Sequence, residues 1–184
     1  ENNLTPSAFT PDRLEVLQAL AGQATIALEN ARQAEALRQA EAKYRRIFEQ
    51  ALEGIFQTTP DGRLLTANPA LAQMAGWASP ETLLAFGVSL TEAYVDPQRR
   101  VALLRQLAQH GEARDFEAEM YRKDGSTMWV LMNVRRVQTS DGSVYFEGFL
   151  QDITARRRAE AEQRTMEAKL QQAQKLESLG VLAG

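Results

Sequence analysis

The sequence predicts an α+β domain built on an antiparallel sheet, with a long helix before it and another after it. In the middle of the chain, short runs of strand-forming residues alternate between apolar and polar, and turn signals such as "PDG" and "KDGS" separate them. Toward both ends, long stretches without proline keep helical spacing. Three helical segments fall between the second and third strands, which predicts the order β-β-α-α-α-β-β-β and a five-stranded sheet.

Residues 1–43 are predicted to form a helix and a helical linker. Thr10 suits the N-cap position before Pro11. The following apolar residues recur at steps of three and four, a spacing that predicts packing against another helix. They are Leu14, Leu17, Ala21, Ala24, Leu28 and Ala31. The later stretch "RQAEALRQAEAKYRR" has high helix propensity but few large apolar groups, so we expect a solvated connector.

The predicted helices of the middle segment each begin with a capping residue followed by proline. Asn68, Ser79 and Asp96 are the three caps. In the third strand, alternation places Phe116, Ala118 and Met120 on one face. Each of the aspartates of the turns, Asp61, Asp124 and Asp141, precedes a glycine, and turn formation explains all three without a catalytic role.

Residues 155–184 are predicted to form a second long helix. Its apolar stripe is Met166, Leu170, Ala173, Leu176, Leu179 and Ala183. The steps of this stripe depart from a regular heptad near Leu176, which indicates a coiled coil that is locally overwound there.

Composition excludes several classes of function. There are no cysteines, which excludes disulfides, thiolate metal sites and cysteine nucleophiles. The net charge of −3 argues against a nucleic-acid partner, since that surface needs a basic excess. No apolar run reaches the length of a membrane span. We therefore expect no membrane contact by this segment and a cytoplasmic location.

Three stretches together resemble a PAS domain over about residues 44–154. They are "EGIFQTTPDGRLLTANPALAQMAGW", "YRKDGSTMWV" and "FEGFLQDIT". The earlier "FTPDRLEVLQALAGQATIALENAR" resembles the C-terminal helix of a GAF domain. The closing "QKLESLGVLAG" is similar to the start of the dimerisation helix of sensor histidine kinases, a helix that these kinases use to form parallel homodimers.

This resemblance implies a signal-sensing and relay module of a two-component sensor histidine kinase. Its partners would be a second copy of the chain, the parent kinase domain and a response regulator. We expect no enzymatic activity from the chain itself, because the phospho-accepting histidine of the family would follow Gly184. The resemblance also marks the signal junction Asp152, Ile153 and Thr154. In the family this aspartate is tied down by a basic group, and Arg122 and Lys123 are both candidates.

The alternative function is a ligand-binding sensor holding a small apolar molecule, haem or flavin. Alternation and the resemblance together place Val130, Met132, Val134, Phe146, Gly148 and Leu150 inward. The candidate pocket residues are Leu71, Met74, Phe86, Met132, Val134, Phe146 and Leu150. A packed core explains them as well, so no cofactor is predicted. His110 has polar neighbours at a helix end and is expected to be exposed, not a haem ligand.

The outer face of the sheet is predicted to be a dimer interface. Trp129, Leu131, Tyr145 and Phe149 project outward by alternation, and Tyr44, Ile47, Phe48 and Leu52 form a complementary helical stripe. Leu170, Leu176 and Leu179 of the last helix would extend this interface. Two alternatives remain open, a purely intrachain contact and a domain that acts only as a passive dimerisation spacer.

Overall fold

A computed structural model describes residues 11–87 and 89–182 of the chain, and the side chains of residues 14–18, 20–87 and 89–175. The predicted α+β fold is confirmed: five antiparallel strands form one sheet in the order β2-β1-β5-β4-β3. The elements are α1 Pro11–Gln50, β1 Gly54–Thr58, β2 Leu64–Ala67, α2 Pro69–Met74, α3 Pro80–Ala85, α4 Pro97–His110, β3 Glu112–Tyr121, β4 Thr127–Gln138, β5 Val144–Asp152 and α5 Thr154–Leu182.

The chain divides into two compact units, Glu1–Ile47 and Phe48–Gly184. Most of α1 belongs to the first unit. There Leu14, Leu17 and Leu28 of the apolar stripe are exposed by 44%, 53% and 54%. Exposed apolar stripes of this kind are typical of surfaces that pack against another helix. The proposed N-cap Thr10 lies outside the described residues.

The helix starts in the second unit are capped as the sequence predicts. Asn68 accepts a hydrogen bond from the backbone N–H of Leu71, and Asp96 accepts one from Gln98 at 2.9 Å. Ser79 forms a capping box with Thr82, because each side chain accepts the backbone N–H of the other residue. These three caps satisfy N–H groups that the first turns of α2, α3 and α4 would leave unpaired.

The hydrophobic core lies between one face of the sheet and helices α2, α3 and α4. Buried strand residues alternate with partly exposed ones along β3, β4 and β5, as predicted. The helices contribute Leu71, Leu83, Leu103 and Leu107 to the same cluster. The core therefore occupies a single side of the sheet and leaves the other side for contacts with α5 or with partners.

A bulge in β3 adds a residue that simple alternation does not anticipate. The pairing of β3 with β4 shifts between Ala113 and Phe116, and Asp115 there adopts a φ of 48°. The side-chain oxygen of Asn133 accepts the N–H of Asp115 at 3.1 Å. Because of the bulge, Ala113 and Phe116 are both buried although they are three positions apart.

Candidate functional site

The end of β5 is tied to the end of β3 by an ion pair. The guanidinium Nη2 of Arg122 lies 2.6 Å from Oδ2 of Asp152, and its Nη1 donates to the carbonyl of Met74. Arg122 is thus the basic partner that the sequence left undecided. Lys123 instead places its ammonium 4.4 Å from the centre of the Trp77 ring.

The residues after the ion pair carry the chain from the sheet into α5. Oδ1 of Asp152 accepts the N–H of Thr154 at 2.8 Å, and the Thr154 hydroxyl oxygen accepts the N–H of Trp129 at 2.9 Å. Between them, Ile153 is 2% exposed, and its N–H donates to the carbonyl of Trp129 at 2.8 Å. The start of α5 is therefore bonded directly to strand β4.

The surroundings of Asp152 stabilise its charged form. Burial raises the pKa of this carboxyl, but hydrogen bonds from Thr154 and Arg122 and the charge of Arg122 lower it more. The net pKa lies below the ordinary value for aspartate. The ion pair is consequently intact at neutral pH.

The first turn of α5 is also held to the sheet by charges. Arg156 and Arg157 approach Glu117 of β3 at 3.5 Å and 3.7 Å. The Arg157 guanidinium lies 3.7 Å from the centre of the Trp129 ring, a cation–π contact. Nη1 of Arg157 is buried and, within the described part of the chain, makes no hydrogen bond. We call this set, together with the Arg122–Asp152 pair and Thr154, the junction network.

Asn68 lies where the chain passes from α1 into the sheet, just as the junction network lies where the chain leaves the sheet for α5. Its side chain is fully buried and makes four hydrogen bonds. The amide nitrogen donates to the carbonyls of Phe48, in the last turn of α1, and Glu53. The oxygen accepts the N–H groups of Ile55 and Leu71. The sequence indicated only the capping part of this role, since the other partners lie up to 20 residues away.

The core contains a cavity of about 20 Å³. It is lined by five of the seven candidate pocket residues, namely Leu71, Met132, Val134, Phe146 and Leu150. Met74 packs against the core without lining this cavity, and Phe86 is 74% exposed at the surface. A cavity of this size has room for about one water molecule, which is far less than a haem or a flavin needs.

A buried arginine borders the same cavity and was not anticipated from the sequence. Arg100 of α4 is 5% exposed, and its guanidinium donates to the carbonyl of Pro60 at 3.3 Å. Burial raises the pKa of the neighbouring Tyr94 hydroxyl, and the Arg100 charge opposes part of that rise. In the sequence Arg100 is one of two adjacent arginines, and helical spacing alone gives weak grounds for choosing the buried one.

A larger groove, of about 600 Å³, opens beside α3 and the β3–β4 hairpin. Its aromatic wall is the pair Trp77 and Phe86, whose ring centres lie 4.9 Å apart. Arg122 and Lys123 also line it. Phe86 therefore belongs to this groove, not to the core cavity. A volume of this size is typical of small-molecule sites.

The outer face of the sheet is less uniformly apolar than the alternation predicted. Phe149 is 42% exposed, while Leu131 and Tyr145 are half-buried. Glu147 lies between Tyr145 and Phe149 on the same face, paired with Arg135 at 2.5 Å and bonded by Gln57 at 3.1 Å. This polar row separates Tyr145 from Phe149.

Among the remaining predicted interface residues, those whose side chains the structure describes are exposed or half-buried. Tyr44, Ile47 and Leu170 are exposed by 68%, 58% and 60%, and Phe48 is half-buried. Leu176 and Leu179 lie on α5, but their side chains are outside the described part. His110 is exposed at the end of α4, as predicted.

Membrane spans and metal sites are not found among the described residues. None of the helices formed by residues 11–87 and 89–182 is both long and apolar enough to cross a membrane. In the same part of the chain, no cluster of histidine, aspartate and glutamate is arranged to hold a metal ion.

Comparison with protein families identifies the fold. The family of the PAS domain matches residues 52–155, which is more than half of the chain. This chain belongs to the PAS domain family. The match begins just after α1 and ends just inside α5, so the PAS domain contains the sheet, the three inserted helices and the Asp152–Thr154 junction.

Relatives of this PAS chain include proteins named as sensors. Sensor histidine kinase TmoS of Ectopseudomonas mendocina is 25% identical over 80% of the chain, a match that covers 15% of that kinase. The methyl sulfide methyltransferase-associated sensor of Methanosarcina acetivorans is 26% identical over 91% of the chain and 17% of its own length. The chain thus corresponds to a small part of these relatives.

Solved structures agree with the fold. The crystal structure of the PAS domain of an HTR-like protein from Haloarcula marismortui superimposes with a TM-score of 0.52 at 24% identity. The match covers 67% of this chain and 99% of that domain. At this identity the likeness establishes the architecture and carries no information on ligand or signal.

Proposed function

We propose that this chain is the relay segment of a sensor histidine kinase, in which a PAS domain passes conformational change from α1 to α5. The proposal is supported by the relatives, of which one is named a sensor histidine kinase. It also draws on the resemblances of residues 9–32 to a GAF exit helix and of residues 174–184 to a kinase dimerisation helix. The kinase activity and the response regulator belong to the proposed parent protein.

The observation that carries the proposal is the junction network. Three linked contacts hold the start of α5 on the sheet: the Asp152 cap on Thr154, the Thr154 bond to Trp129, and the stacking of Arg157 on Trp129. A helix anchored at its first turn transmits a change of direction or rotation along its whole length. Any shift of β4 or β5 would therefore reorient α5.

The proposed relay works between two copies of the chain. The exposed apolar residues of α1 and α5 would pack in a parallel homodimer, and Leu131 and Phe149 would extend the interface on the sheet. The irregular stripe near Leu176 would let two packings of the helix pair differ little in free energy, as a switch requires.

The proposal is tested with insertions in α5. One to four alanines would be inserted after Arg158 in a chimera of this chain with a histidine kinase core, and autophosphorylation would be measured. Because each residue turns an α-helix by about 100°, one or two alanines should misregulate the kinase and four should largely restore it. The control replaces Glu160 and Glu162 by alanine, which makes residues 159–162 four alanines without a change of length.

If autophosphorylation were the same for every length of insertion, the relay would be excluded and the domain would act as a passive spacer.

A second function, ligand sensing, is favoured by a separate observation, the groove of about 600 Å³ beside α3. The core cavity of about 20 Å³ gives that function little support.

A further inference from the structure

We propose that the groove beside α3 binds a small apolar anion whose charged group competes with Asp152 for Arg122. This groove adjoins the core cavity and shares lining residues such as Leu71, Met120 and Leu150 with it, but its aromatic wall and its two cations line the groove alone. The inference deepens the proposed relay function and depends on it in one respect, since the expected consequence of binding is a change at the junction network.

The walls of the groove suit an apolar or aromatic molecule. Trp77 and Phe86 form a tilted aromatic pair on one side. Met120 and Met128 line the groove from the sheet. Methionine side chains adapt to the shape of a ligand, and aromatic rings offer a large contact area at small entropic cost.

The charged residues of the groove favour a ligand that carries a negative charge. Among the described lining residues there are two cations, Arg122 and Lys123, and one carboxylate, Glu92. Lys123 holds its ammonium 4.4 Å from the centre of the Trp77 ring, at the aromatic wall itself. A carboxylate or sulfonate lying there would accept charge-assisted hydrogen bonds while its apolar part contacted the rings.

Arg122 connects this groove to the output helix. It lines the groove and also binds Asp152, whose other oxygen accepts the N–H of Thr154 at the start of α5. The pair is not sealed from solvent, because the two side chains are 24% and 25% exposed. An incoming anion can therefore compete with Asp152 for the guanidinium, and the junction loosens when it succeeds.

The two tryptophans of the chain make both events observable. Trp77 lines the groove, and Trp129 lies in the junction network under Arg157. Their indole N–H signals in a ¹H–¹⁵N correlation spectrum are assigned with Trp77→Phe and Trp129→Phe variants. The probes are 4-phenylbutyrate and its neutral analogue 4-phenylbutanamide, which have the same shape and differ in charge.

We expect 4-phenylbutyrate to shift the Trp77 signal saturably and to bind about tenfold more tightly than the amide, the effect of one charge-assisted hydrogen bond. The Trp129 signal should shift with the same midpoint. Lys123→Met should weaken binding of the anion severalfold, and Lys169→Met, a matched loss of a lysine on α5, should not.

Asp152→Asn provides the sharpest test, because the variant removes the competitor for Arg122 while an amide oxygen still caps Thr154. Binding of 4-phenylbutyrate should become severalfold tighter. Equal affinity for acid and amide, or unchanged affinity in Lys123→Met, would overturn the anion site. A saturating shift of the Trp77 signal without any shift of the Trp129 signal would overturn the link between the groove and the junction network. That outcome would not contradict the relay function, because the alanine insertions in α5 test it separately.

Discussion

Asn68 is the residue through which the entry to the PAS domain is organised. Its one buried amide joins the last turn of α1, the residue before β1, strand β1 itself and the start of α2. All four of its hydrogen-bonding positions are used. Because the group is buried, the loss of either donor leaves a carbonyl without a partner, and that is costly.

The first prediction concerns Asn68→Asp, which preserves shape but turns two donated hydrogen bonds into contacts between oxygens. We expect a loss of about 3 kcal/mol in the free energy of unfolding at neutral pH, measured by urea denaturation. Burial should raise the folded pKa of the new carboxyl, so the penalty should shrink as the pH falls below that pKa. Asn133→Asp is the control, since Asn133 accepts from Asp115 and an aspartate can still accept. Equal losses in the two variants would contradict this account.

The second prediction follows from the lowered pKa of Asp152. A carboxyl whose pKa is lower in the folded state stabilises the fold above its unfolded pKa of about 3.8, and that contribution disappears as the pH falls through the folded pKa. Asp152→Asn should therefore cost about 1–2 kcal/mol between roughly pH 5 and 8, and this cost should shrink progressively as the pH falls below about 3.8. Urea denaturation across this range measures the difference. Glu162→Gln, an exposed position on α5, is the control and should leave the pH profile of the wild type unchanged.

At the scale of elements, the pairing of strands β4 and β5 leaves no room for a side chain at Gly148. A Cβ at this position would lie 2.2 Å from the carbonyl oxygen of Asn133 and 3.0 Å from the Cα of Val134. Both are backbone atoms of the paired strand, which cannot move without disturbing the ladder that ends at Asp152. The register of the β4–β5 pair, and with it the position of the junction, depends on this glycine.

The third prediction is that Gly148→Ala lowers the free energy of unfolding by more than about 2 kcal/mol, because the added methyl forces the two strands apart. Gly22→Ala is the matched control. Gly22 is helical, and a methyl group added there would meet no atom within 4 Å outside its own stretch of helix, so alanine should increase helix stability by about 0.5–1 kcal/mol. Circular dichroism during urea and thermal unfolding measures both. Comparable behaviour of the two variants would argue against the close approach.

At the scale of the whole molecule, apolar surface remains exposed on both long helices and on the sheet. Val16, Leu17, Leu37 and Met166 are exposed by 58%, 53%, 61% and 69%. Phe149 contributes the most exposed of the predicted sheet contacts. Trp129 differs from it, because Arg157 of the same chain covers its ring. We therefore expect Phe149 to contribute more to a dimer interface than Trp129.

The fourth prediction is that Phe149→Glu weakens self-association at least tenfold, as the loss of a central aromatic contact does in other interfaces. Analytical ultracentrifugation over a range of concentrations gives the dissociation constant. Val101→Glu is the control, because Val101 is similarly exposed, at 46%, but lies on α4 on the other side of the sheet. A chain that stays monomeric at all concentrations, or an equal effect of both variants, would remove the sheet from the proposed interface.

Local sequence was sufficient to predict the elements of this protein and the inner face of its sheet. The caps Asn68, Ser79 and Asp96 and the alternation from Phe116 to Met120 depend on neighbours within a few residues, and each is confirmed. Helix starts and strand periodicity arise from backbone geometry that repeats every few residues, so a linear pattern contains them.

Tertiary structure alone decided which distant groups meet. Arg122, not Lys123, pairs with Asp152 thirty residues later, Arg157 covers Trp129, and Arg100 is buried beside Tyr94. These choices depend on the register of β3, β4 and β5, including the bulge at Asp115, and on how the helices fill the inner face. Small differences in side-chain length and direction then decide which of two neighbouring residues, such as Arg122 and Lys123, makes the contact. The spacing of residues along the sequence does not contain that information.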